Sequence, residues 1–110
     1  MMKKIRTAGA AAAALLAVYM LSGCADAIKD GTKALEEGRY EEAQELFQEA
    51  AGDADDKTVA EAYRGLGMAY YEQEEYTSAL EAFQTALDKG GEQTVQIYNL
   101  MGICGMKTSD

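Results

Sequence analysis

Apolar residues recur at helical spacing through most of the chain beyond residue 25. Tyr63, Leu66, Gly67 and Tyr70 stand at i, i+3, i+4 and i+7, one face of an α-helix. Tyr76, Ala79, Leu80, Phe83, Ala86 and Leu87 mark one face of a second helix. The polar run Glu72-Gln73-Glu74-Glu75 between them is too short for anything but an antiparallel turn. No alternating strand pattern appears in residues 25–110. The pattern predicts five helices, over about 26–37, 40–51, 58–72, 76–89 and 94–107. Gly38, Gly52 and Gly90-Gly91 are expected to end helices through left-handed caps.

The pattern also repeats. Tyr40, Ala43, Phe47 and Ala50 return 36 residues later as Tyr76, Ala79, Phe83 and Ala86. Tyr63, Leu66 and Gly67 return 35 residues later as Tyr98, Met101 and Gly102. Gly67 and Ala79, nearly without side chains, are expected on facing helices, where they let the backbones approach. Phe83 and Tyr70 then fill the adjacent space. The series Tyr63-x2-Leu66-Gly67-x2-Tyr70, followed by Ala79-x3-Phe83 and Ala86, resembles the tetratricopeptide repeat. The resemblance implies an all-α fold of antiparallel helix pairs stacked as an α-solenoid, with about two and a half repeats here. Residues 24–57 would hold a first repeat degenerate in its leading helix, 58–93 the second, and 94–110 the first helix of an incomplete third. Gly91 stands where the family usually has Pro.

In this family the first helix of each pair lines a concave surface that takes ligands. Matched by spacing, that surface would be formed by Ile28, Thr32 and Leu35, then Glu61, Arg64, Met68, Tyr71 and Glu72, then Asn99, Ile103 and Met106. The expected partner groove is therefore Ile28, Leu35, Arg64, Met68, Tyr71, Asn99, Ile103 and Met106. Its apolar, Met-containing character suits a partner helix or an extended hydrophobic segment. Burial of the same residues by another part of a longer chain, or by a second copy, is the equal alternative. Some repeats of this kind hold a C-terminal carboxylate through several basic and amide side chains; only Arg64 and Asn99 stand in position here, and that clamp is incomplete. Cys104 aligns with Ala69 and is expected in the core.

Residues 1–23 differ in kind. Lys3, Lys4 and Arg6 precede an apolar stretch from Ala8 through Leu21, shorter than the about 20 residues a spanning helix needs. This is the layout of a signal peptide, expected as a helix ahead of the repeats. It ends in Leu21-Ser22-Gly23-Cys24, which resembles the lipobox of bacterial lipoproteins. That resemblance implies cleavage before Cys24, a diacylglyceryl lipid on its thiol, fatty-acyl anchoring, and an extracytoplasmic location. The site would be the outer face of the cell membrane in a Gram-positive organism. With Ala25 following the Cys, it would be the periplasmic face of the outer membrane in a Gram-negative one. An ordinary signal peptide with an incidental Cys24 is the plainer alternative.

Composition narrows the function. The 110 residues carry Lys+Arg 10 against Asp+Glu 19, a net charge of −9, with no His, Pro or Trp. Nucleic-acid binding runs on clustered basic residues, so it is not expected. Without His, and with only Cys24 and Cys104, neither a zinc site nor a common general base is at hand. Asp53-Ala54-Asp55-Asp56-Lys57 lacks the Gly and distant Glu of a calcium loop. The Glu side chains, among them Glu41, Glu42, Glu45 and Glu49, are expected on solvated faces. The expectation is a non-enzymatic, membrane-anchored interaction scaffold without cofactor beyond the lipid. The alternative is a fragment or docking module of a longer repeat lipoprotein or envelope enzyme. The segment 94–106 is apolar nearly all round and expects cover, so self-association through this last helix is a further option.

Overall fold

The structure, a computed structural model, describes residues 24–53 and 55–109. The signal peptide expected over residues 1–23 lies outside the described residues. Five helices follow one another: α1 (Cys24–Glu36), α2 (Tyr40–Ala50), α3 (Asp56–Glu72), α4 (Tyr76–Asp88) and α5 (Val95–Thr108). No strand occurs among the described residues. Each helix packs on the next, and α1 also reaches across to α3. The α3 start lies two residues earlier than the spacing predicts, because Asp55 caps it. The Asp55 carboxylate accepts from the Thr58 N–H at 3.2 Å and from the Thr58 hydroxyl at 2.9 Å. Thr94 caps α5 in the same way, accepting from the Ile97 N–H at 3.2 Å.

The turns carry the repeat as clearly as the helices do. Arg39 N–H donates to Ala34 O at 2.8 Å, Glu75 N–H to Tyr70 O at 2.9 Å, and Gly91 N–H to Ala86 O at 2.9 Å. Each is the long closing bond of the same helix-ending motif. The residue before each donor has positive φ: Gly38 at 78°, Glu74 at 62° and Gly90 at 87°. Gly52 and Gly91, expected in the same role, do not adopt it; positive φ is confined to the other three among the described residues. Gly91 instead supplies a donor that Pro would lack, and a Cβ there would meet the Ala86 oxygen at 2.7 Å. Glu74 occupies a left-handed position with a full side chain, which is unfavourable by about 1 kcal/mol. Glu74→Gly should therefore raise stability by roughly 1 kcal/mol. Gly38→Ala should lower it by a similar amount, read from urea midpoints.

The core is built on two rings seated in glycine notches. Phe47 of α2 lies between α1 and α3: a Cβ built on Gly31 would stand 3.0 Å from its ring, and one on Gly65 2.4 Å. Phe83 of α4 lies against Gly67, where a Cβ would stand 2.5 Å away. Gly31 and Phe47 are thus the 36-residue counterparts of Gly67 and Phe83, and the leading helix of the first repeat keeps the notch although it lacks the Leu-Gly pair. Ala34, Ala43, Leu46 and Ala69 close around Phe47, and Ala79, Ile97 and Cys104 belong to the cluster of Phe83. Small alanines make these helix contacts close, so each ring fills most of its interface.

The last helix follows a 35-residue register. Ala69 and Cys104 are both fully buried, and both carbonyls accept a bond from the side chain four residues on: Gln73 Nε2 at 3.0 Å and Thr108 Oγ1 at 3.0 Å. Cys104 is a core residue, and burial pushes its thiol above the ordinary range. This disfavours the thiolate that reactive cysteines need.

Candidate functional site

Between α1 and α3 lies a cleft of about 700 Å³. Ile28, Thr32 and Leu35 line it from α1, and Arg64 and Met68 from α3. The α4–α5 junction closes one end with Lys89, Gly90, Gly91 and Glu92, and α5 contributes Gln96 and Ile97 from its first turn. The floor includes Phe47 and Gly65, so the cleft rests directly on the wedge that joins the first two repeats.

Four of the eight residues expected in the groove, Ile28, Leu35, Arg64 and Met68, line this one cleft. Tyr71, Asn99, Ile103 and Met106 do not. Tyr71 packs edge to face on Tyr76, with ring centroids 5.8 Å apart. Asn99 and Met106 are exposed on α5, and Ile103 is half-buried. The reason is the path of the chain after α4. The glycine pair turns tightly against Ala60 and Ala86, so α5 meets the cleft with its first turn rather than its middle. Lys57, Lys89, Glu92 and Gln96, which sequence spacing did not single out, complete the rim. The 89–94 connection brings Lys89, Glu92 and Gln96 there, and Lys57 stands in the first turn of α3.

The electrostatics of the cleft are mixed. Lys57, Arg64 and Lys89 face Glu36, Glu61 and Glu92 around an apolar floor. Among the described residues the ion pairs are those of Arg39, with Glu37 at 2.5 Å and with Glu42. The half-buried Arg64 guanidinium has no ion-pair partner among the described residues. Among the described residues no cluster of His, Cys, Asp and Glu has the arrangement of a metal site.

Glu41, Glu42 and Glu45 are exposed, as a solvated face requires. Glu49 departs from that expectation. Both its carboxylate oxygens are shut from water and have no hydrogen-bond partner among the described residues. Burial raises its pKa above the ordinary value of 4.5. A carboxyl whose folded pKa is raised favours folding below its ordinary pKa, and that contribution is lost as pH rises through the folded value. Glu49 should accordingly contribute more to stability as pH falls through its folded pKa toward 4.5. Glu49→Gln should stabilise at pH 7 by on the order of 1 kcal/mol and remove that part of the pH dependence. Parallel thermal melts of the two chains between pH 4 and 8 check this.

Antiparallel helix pairs, stacked with a ring of each second helix seated in a glycine notch of the first, define an α-solenoid of hairpin repeats. The chain belongs to the tetratricopeptide repeat family, whose model matches residues 28–93, from the second turn of α1 into the connection after α4. No curated protein matches the chain. Repeats of this family generally bind other proteins or peptides, and the fold is that of a protein-interaction scaffold.

Proposed function

We propose that the chain is a non-catalytic lipoprotein scaffold, anchored through Cys24 on the extracytoplasmic side of a membrane, that receives an apolar segment of a partner protein. The cleft between α1 and α3 carries the binding half of this reading. It joins three half-buried apolar side chains, Ile28, Leu35 and Met68, to the Arg64 guanidinium, which has no ion-pair partner among the described residues. Such a site suits a helix or extended strip with spaced apolar residues and an acceptor at one end. The sequence Leu21-Ser22-Gly23-Cys24, after a basic start and a short apolar stretch, supports the anchoring half. Cleavage before Cys24 removes Lys3, Lys4 and Arg6 and no acidic residue, leaving a chain still more acidic and repelled by anionic lipid. Attachment would then rest on two or more acyl chains. The site would be the outer face of a Gram-positive cell membrane or the periplasmic face of a Gram-negative outer membrane.

Each half has its own test. Cys24→Ala should move the protein from the membrane pellet to the soluble fraction and block lipid labelling of the chain. Unchanged membrane retention and processing would overturn the anchor. For the cleft, Leu35→Glu combined with Met68→Glu should lose the partner that co-purifies with the wild type from detergent-solubilised membranes, with helical circular dichroism preserved. Recovery of the same partner at the same yield would show that it binds elsewhere.

A further inference from the structure

The outward face of α5 has features that the cleft does not use. Ile97, Leu100, Met101 and Cys104 turn α5 toward α4, and three of its largest apolar side chains remain outside: Val95 is 77% exposed, Met106 67% and Tyr98 49%. Their positions on the helix place them together on the side opposite Cys104. Gly102 lies among them, with nothing within 4 Å of where its Cβ would stand. In α3 the counterpart of Gly102 is Gly67, whose notch holds the Phe83 ring; in α5 the notch is open.

Two observations say what fits this face. The first is its order. Tyr98 and Met106 lie four residues on either side of Gly102, each about 6 Å along the axis. Val95 and Ser109 lie seven residues on either side. The face is therefore complementary to itself when run antiparallel about Gly102. Gly102 meets its own copy, Tyr98 meets Met106 and Met106 meets Tyr98, which is the reciprocity a two-fold interface demands. Glycine at the centre allows two helices to approach closely, and a thioether beside a tyrosine ring is a favourable contact. The second observation is charge. The chain carries 19 acidic residues, and α1 to α4 each contain at least two, yet α5 contains none, and Lys107 is its one charged residue. Two copies of so acidic a chain meet with least repulsion where carboxylates are missing, and depletion of charge is the mark of an interface core.

We propose that α5 is a homodimer interface, formed by antiparallel packing against α5 of a second copy about a two-fold axis through Gly102. The dimer holds two clefts, and its face lies opposite the helix side that packs on α4. This inference does not rest on the lipid anchor or on the cleft.

The full chain in detergent micelles provides the test. Sedimentation equilibrium with density-matched detergent should give a protein mass twice that of one chain. Gly102→Glu should return it to one chain mass, since it places two like charges on the axis. The open space at Gly102 and the better helix propensity of Glu should leave helicity and melting temperature equal or higher, separating loss of the dimer from loss of the fold. A single-chain mass for the wild type, or a Gly102→Glu variant that stays dimeric, would overturn the proposal. Geometry is read by disulfide trapping against the wild-type chain as blank. A mixture of Tyr98→Cys and Met106→Cys chains should cross-link more than either alone, and Gln96→Cys, off the face, should not exceed the blank. Equal trapping in all these samples would also overturn it.

Discussion

Replacing Phe47 with Ala is expected to lower stability by about 3–5 kcal/mol, the usual cost of emptying a buried aromatic site. The upper part of that range is expected because the site cannot collapse. The ring is wedged between Gly31 and Gly65, on two different helices, and neither has a side chain that could move into the space. Ala34, Ala43, Ala69 and Ala82 are among its neighbours, and a methyl group cannot reach further, while Leu46 and Leu66 are themselves held in the core. Small domains are stable by only about 5–15 kcal/mol, so the variant should stand close to unfolded at 25 °C. The measurement is a urea titration followed by circular dichroism, with sucrose added equally to both chains if the variant is not folded without it. Phe83→Ala should cost less, because its ring sits in one glycine notch, at Gly67, where that of Phe47 sits in two, and the half-buried Leu100 and Met101 of its cluster can partly refill the space. Equal losses for the two would mean that the first wedge is no tighter than the second.

Gly67→Ala and Gly105→Ala should change stability in opposite directions. Both replace a helical glycine with the best helix former, which alone favours folding by about 1 kcal/mol. At Gly105 nothing lies within 4 Å of the new methyl, so the gain should appear in full. At Gly67 the methyl would stand 2.5 Å from the Phe83 ring, itself fully buried, and either the ring or the helix must yield. Overpacking of that kind costs about 1–3 kcal/mol or more, and a net loss is expected. Gly65→Ala, at 2.4 Å from Phe47, should behave like Gly67→Ala. Combining Gly67→Ala with Phe83→Leu should recover part of the loss, since the smaller side chain leaves the methyl room. Additive losses in that double variant would show that the two residues do not touch in solution.

The sequence made the second repeat legible nearly in full. The face of Tyr63, Leu66, Gly67 and Tyr70 and that of Ala79, Phe83 and Ala86 placed α3 and α4 within two residues of their ends, because helical spacing and close packing leave few alternatives. The first repeat was less legible. Gly31 stands alone in α1, without a neighbouring Leu-Gly pair, and only the 36-residue offset from Gly67 marks it as a ring seat. The turn at Glu74 was hidden for a different reason: its left-handed backbone follows from the position of Gly38 one repeat earlier, while its own side chain argues against it. Glu49 shares its helix with three solvated carboxylates, and spacing alone does not separate it from them. Half of the expected groove failed to assemble because the 89–94 connection decides how α5 meets the cleft, and no periodicity runs through that connection.

The position of the Phe47 ring has a consequence for how the molecule comes apart. Because one rigid group touches both the first and the third helix, neither hairpin can loosen without disturbing the other, and the first four helices should melt as one cooperative unit. The fifth packs mainly on the fourth and touches the rest only lightly, so its amide protons should exchange with deuterated solvent before those of the other helices, wherever nothing else covers it.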